Sequence, residues 1–198
     1  MYRWALETIA AVALDTRLGC LSPAPRPAHL AMIRAVQGVL AHSKTLDSGL
    51  RLWERLPLPS RDFAAFLDHY RTFKASARQC IEEAGEAGEA AAGPSLVSDL
   101  ARSGCPRAVT SAAAVELLFG GVDTTSHTAI FLLHLLASNP GVQERLHAEL
   151  AEDSLGGRDP ARVLRLPYLR AVVREAMRMM PVAPANIRSI IKQENDLK

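Results

Sequence analysis

Over residues 2–14 the apolar positions Leu6, Ile9, Ala10, Ala13 and Leu14 fall three and four apart, the spacing of one helix face, closed near Gly19. Prolines between Ser22 and Pro27 interrupt the pattern, which resumes over His29–Ala41 as a second helix. Leu56–Pro59 is the next break, and Ser60 has the side chain of an N-cap for a long helix. Phe63, Phe66, Leu67, Tyr70, Phe73, Ala77 and Ile81 form one stripe along that helix, which therefore lies on a core or over a pocket. Residues 82–93 contain only Glu, Ala and Gly; with so little to bury, the segment 82–95 reads as a flexible surface linker.

The most apolar stretch runs from Pro106 to Ala137 without an internal proline and stops at Ser138-Asn139-Pro140. It reads as one long buried helix with Gly120-Gly121 in its middle. Pro140 suits the first turn of a helix through Leu150, and Leu166–Met180 forms another before Pro181 and Pro184 force an extended chain. The fold class is mainly α with little or no β-sheet, and a short strand around Asn186–Ile191 is the one candidate. The segment Ser43–Leu58 carries no readable chemistry.

At 198 residues, 48% apolar and 22% charged, the chain has the composition of a globular protein with one good core or part of a larger one. A formal charge of +2 gives no bulk attraction for nucleic acid, so a charged partner must be met by a local patch. Cys20, Cys80 and Cys105 are odd in number and widely spaced, which supports neither a disulfide framework nor a zinc site. Ala129–Ala137, the best apolar run, is half the roughly 18 residues that cross a bilayer. Met1-Tyr2-Arg3-Trp4 opens neither a secretory h-region nor an Arg/Ser-rich presequence.

Two motifs change this picture. Gly120-Gly121-Val122-Asp123-Thr124-Thr125 puts two glycines inside a helix, at about 1 kcal/mol each against alanine. Glycines admit another body close to the backbone, and Thr hydroxyls can draw carbonyls out of the helical ladder, opening a groove for a flat cofactor and a small molecule such as dioxygen. An acid followed by an alcohol in an apolar wall is also what proton delivery to bound oxygen needs. The alternative is a glycine-mediated helix crossing with a capped kink. The second motif, Glu175-Ala176-Met177-Arg178, places opposite charges three apart on one helix face, and alone it says little, since exposed pairs contribute about 0–1 kcal/mol. His127 and His134 lie seven apart, but no third ligand has suitable spacing for a metal.

In this order, some fifty positions apart, the motifs resemble those of the cytochrome P450 family, haem-thiolate monooxygenases. Met179-Met180-Pro181-Val182-Ala183-Pro184 is similar to the family's sequel to E-x-x-R, and Tyr2-Arg3-Trp4-Ala5-Leu6-Glu7 with Asp15–Cys20 looks like its animal mitochondrial members. The resemblance implies that Asp123 and Thr124 are the proton-relay acid and alcohol, that Gly120 and Gly121 adjoin haem, and that Glu175 and Arg178 are a structural pair of the core. Arg170 and Arg174, four apart on the E-x-x-R helix, match the basic residues that receive an iron–sulfur ferredoxin, and Arg188 the arginine that contacts a haem propionate.

The resemblance further implies an apolar substrate, steroid-like or xenobiotic, a mitochondrial location, and for the whole protein peripheral contact with a membrane. The family's F-x-x-G-x-R-x-C-x-G loop does not occur in these 198 residues, and Cys20, Cys80 and Cys105 have the wrong neighbours for an axial ligand. Residues 1–198 are thus expected to be a partial P450 domain, from a mid-domain helix to just past E-x-x-R, truncated at both ends and inactive alone. The other reading is a non-catalytic helical protein that engages ferredoxin.

Overall fold

The computed structural model of the chain describes residues 1–48, 61–88, 95–154 and 159–183. Among these there are eight helices and no strand: α1 Tyr2–Leu14, α2 Pro27–Ser48, α3 Arg61–Gly88, α4 Leu96–Arg102, α5 Arg107–Ser138, α6 Pro140–Ser154, α7 Pro160–Val163 and α8 Pro167–Met179. The mainly α class holds. The expected strand at 186–191, the Leu56–Ser60 break and Arg188 lie outside the described residues. Two compact units divide the chain, Met1–Ala129 and Ile130–Lys198, with α5 running from one into the other.

In the first unit α1 turns its three-and-four-spaced residues Leu6, Ala10, Ala13 and Leu14 inward, all buried. Each large apolar side chain removed from water there contributes about 1.5–3 kcal/mol. The helix stops before Gly19, because Asp15 takes the left-handed conformation at φ 51° and its N–H returns to the carbonyl of Ala11. The Glu7 carboxylate then accepts the N–H groups of Gly19 at 3.2 Å and Cys20 at 2.7 Å, tying the connecting loop back onto α1.

Helix α2 is longer at both ends than its apolar pattern indicated, beginning at Pro27, a residue suited to the first helical position. It lies along α3, and Gly38 leaves room for a side chain of that helix: a Cβ there would sit 2.4 Å from the His69 ring. The α3 stripe reaches the core at Phe73 and Ala77, both fully buried, and Phe73 meets Phe119 of α5 edge-on at 5.3 Å. Phe63, Phe66 and Tyr70 are only half-buried, stacked in series with centroids 6.4 and 6.2 Å apart.

The linker expected over residues 82–95 is corrected at both edges. Helix α3 continues through Gly88, and Ser95 is the buried N-cap of α4, its hydroxyl accepting the Ser98 N–H at 3.1 Å while Ser98 returns the bond. Alanine and glutamate are good helix formers, so adjoining a long helix they extend it; residues 89–94 lie outside the described set.

The long helix α5 has nearly the expected bounds but is not buried throughout. Ala114, Val115, Leu118 and Val122 are buried, whereas Ile130 and Leu133 are 39% and 50% exposed. In the second unit Glu149 of α6 accepts the N–H groups of Tyr168 and Leu169, both at 2.8 Å, at the start of α8. The Arg145 guanidinium covers the Tyr168 ring at 4.4 Å. Leu132, Leu136, Val142, Val172 and Met179 line an apolar groove of about 400 Å³ in this unit.

Candidate functional site

The two glycines of α5 have different surroundings. A Cβ on Gly121 would lie 2.5 Å from Ile9 Cγ1, so here α1 and α5 cross at a distance only glycine permits. A Cβ on Gly120 would meet nothing within 4 Å. Thr124, one turn on, is exposed, and the two form an open strip along the helix. The crossing reading describes Gly121, and an approachable backbone describes Gly120.

The expected distortion of the helical ladder is corrected. Thr124 Oγ1 donates to the Gly120 carbonyl at 2.6 Å, Ser126 Oγ to Val122 at 2.5 Å and Thr128 Oγ1 to Thr124 at 2.9 Å, yet the helix is continuous from Arg107 to Ser138. Each hydroxyl shares a carbonyl four residues back without displacing the backbone bond, which is why no groove opens.

Asp123 points elsewhere. About 100° around the helix from Thr124, its side chain is 16% exposed and its carboxylate lies 3.1 Å from His127 Nδ1. The same nitrogen is 3.0 Å from the Asp123 carbonyl, and Nε2 is 3.4 Å from the Tyr2 hydroxyl of α1. The Tyr2 and His127 rings meet edge-on at 5.8 Å and 87°. Sequence reasoning missed this chain. The i, i+4 spacing of Asp123 and His127 was a legible signal; the arrival of Tyr2, 125 positions away, was not.

On α8, Arg178 grips Glu175 with both arms of its fork, at 2.8 and 2.6 Å. The pair lies at the surface and not in a core, with side chains 70% and 55% exposed. The hydrogen bond from Arg178 holds the Glu175 carboxyl below its ordinary range. Arg170 and Arg174 are both exposed, one turn apart on the same helix.

None of the three cysteines has the surroundings of a thiolate ligand. Burial, followed by the nearby Glu7 carboxylate, pushes the Cys20 thiol up to about 12, and burial raises Cys80 as well. Cys105 is half-buried and near the Ser103 hydroxyl. Low pKa and electropositive surroundings make a reactive thiolate, and Cys20 and Cys80 offer the reverse.

The sequence matches the family model for cytochrome P450 over residues 1–198. The chain belongs to the cytochrome P450 family. It is 34% identical over 96% of its length to the probable cytochrome P450 49a1 of Drosophila melanogaster, and 34% identical over 94% to the mitochondrial 25-hydroxyvitamin D-1 alpha hydroxylase of Homo sapiens. It is 30% identical over its whole length to the mitochondrial sterol 26-hydroxylase of Rattus norvegicus. The P450 chain spans only 34–39% of the length of these relatives. The family's cofactor is haem. Of the residues present, the open strip at Gly120 and Thr124 fits one face of a flat macrocycle, and the cysteines do not fit its axial ligand.

Proposed function

We propose that residues 1–198 are the central portion of a mitochondrial haem-dependent monooxygenase, which uses dioxygen and ferredoxin-supplied electrons to hydroxylate an apolar, sterol-like molecule. The observation that carries this reading is the pairing, on one helix, of an open strip at Gly120 and Thr124 with an adjacent enclosed carboxylate at Asp123. Haem, when bound, supplies the binding and reductive activation of dioxygen. The chain's own part is narrower: Gly120 leaves room, Thr124 presents a hydroxyl at the strip, and Asp123 is the acid of the relay.

The names of two relatives, a sterol 26-hydroxylase and a 25-hydroxyvitamin D-1 alpha hydroxylase, both mitochondrial, support the substrate class and the location. Arg170 and Arg174 present two exposed guanidiniums to an acidic ferredoxin, and Arg188 would bind a propionate. Glu175 and Arg178, paired with each other at the surface of this helix, would be the structural pair of the complete core.

The test is hydroxylation of a sterol-class substrate by a haem-loaded polypeptide carrying this segment, with ferredoxin as donor. Asp123→Asn is expected to lower turnover about 100-fold, and full turnover in that variant would refute the assignment. A second reading, a non-catalytic ferredoxin-binding helical protein, is favoured by one observation: Arg170 and Arg174 are exposed one turn apart on the same helix. It requires that the 198-residue chain alone bind ferredoxin, and that changing Arg170 and Arg174 to Glu abolish the binding.

A further inference from the structure

We propose that His127, oriented by Tyr2, is a positioning residue that holds the Asp123 carboxylate in one place on α5, turned to the His127–Tyr2 contact. The inference deepens the proposed oxygenase reading and rests on it. His127 Nδ1 has two partners, the Asp123 carbonyl at 3.0 Å and its carboxylate at 3.1 Å, and both can only accept. Nδ1 therefore carries the proton and divides it between them. In the neutral ring Nε2 then presents a lone pair, and the Tyr2 hydroxyl at 3.4 Å is placed to donate to it.

Both ring nitrogens are thus assigned from outside the ring, and the tautomer that holds Asp123 is the one Tyr2 favours. The edge-on contact of the two rings fixes the plane of the imidazole as well.

The position of Tyr2 is itself determined by packing. Tyr2 and Ile9 lie seven apart, two turns along one face of α1, and Ile9 is seated in the gap left by Gly121. Helix α1 therefore meets α5 at two places, with Ile9 at Gly121 and Tyr2 at His127. A mid-helix aspartate has more than one rotamer open to it. With His127 bound to both its carbonyl and its carboxylate, a single rotamer is retained. The side chains of Asp123 and His127 are 16% and 34% exposed, so water competes weakly for the acid and can still reach the ring.

Four variants test the inference: Asp123→Asn, His127→Leu, His127→Gln and Tyr2→Phe. In a haem-loaded polypeptide carrying the segment, His127→Leu is expected to lower kcat about tenfold with little change in KM. His127→Gln, whose amide can still donate, should recover most of that loss. The double variant Asp123→Asn/His127→Leu should be no slower than Asp123→Asn alone, because a residue acting through Asp123 adds nothing once the acid is gone.

Nitrogen-15 NMR of the imidazole in the chain gives a readout independent of turnover. His127 should be the Nδ1–H tautomer, and Tyr2→Phe should shift it towards a mixture. Additive losses in the double variant, a rise in KM in place of a fall in kcat, or an Nε2–H tautomer would each overturn the positioning role. Should Asp123→Asn be slow while His127→Leu is unaffected, this inference alone fails. Should Asp123→Asn be fully active, the oxygenase assignment of the acid fails and takes the inference with it.

Discussion

A methyl group added at Gly121 would meet Ile9 Cγ1 at 2.5 Å, whereas one added at Gly120 would meet no atom within 4 Å. Gly121→Ala should therefore destabilise the chain by about 1–3 kcal/mol through overpacking, while Gly120→Ala should stabilise it by about 0.5–1 kcal/mol, the ordinary gain in a helix interior. Denaturant unfolding of the two variants would be compared; equal effects would contradict the crossing geometry. His29 makes a separate prediction. It is 3% exposed, its Nδ1 has no hydrogen-bond partner, and burial first and the Arg26 charge second hold its pKa below the ordinary 6.5. The unfolded chain then takes up a proton below pH 6.5 that the folded chain resists. Stability is present above that pH and is lost as pH falls below it. The unfolding midpoint should decline between pH 7 and pH 5 (about two units around the ordinary His value), and His29→Leu should flatten the decline. Neither effect is readable from the residue itself, since glycines side by side and a histidine among prolines look alike until their neighbours are known.

At the scale of elements, α8 illustrates how one helix depends on another. Its N-cap, Leu166, has no side chain able to cap, and Glu149 of α6 takes that place from 19 residues away by accepting two N–H groups. Glu149→Ala should cost about 1.5–3 kcal/mol, the range for charged hydrogen bonds. Amide exchange at Tyr168 and Leu169 should speed up sharply while α1 is unaffected; unchanged exchange there would exclude the cap. The bounds of α5 were legible because punctuation marks them, Pro106 before and Ser138-Asn139-Pro140 after. Its burial was misjudged because a helix apolar on every side gives no direction to its pattern. Helix α4 was missed altogether: its Ser95–Ser98 capping box stands next to a Glu/Ala/Gly tract that reads as linker.

The whole molecule is uneven in how much it buries. Among the described residues, every buried apolar residue apart from Leu146 and Ala176 lies within Met1–Ala129. Hydrogen exchange should accordingly find the most protected amides in α1, α2 and the first half of α5, with α6 and α8 opening at lower free energy. Comparable protection across both units would contradict this. If ferredoxin docks through Arg170 and Arg174, its affinity should fall steeply between 50 and 200 mM salt (about 14 to 7 Å of screening length), and charge reversal should abolish that dependence together with the binding. A binding isotherm at several ionic strengths decides the matter.

The longer helices, the mainly α class and the two P450 motifs were determined by the sequence itself, because period, punctuation and motif spacing are local properties of the chain. The acid and alcohol of α5 were likewise visible as neighbours. Only the tertiary structure decided that Gly121 and not Gly120 carries the helix crossing, that Asp123 turns to His127 and Tyr2, and that Glu149 caps α8. Those facts depend on which side chains meet across long separations. Such meetings are set by packing, which no local pattern encodes.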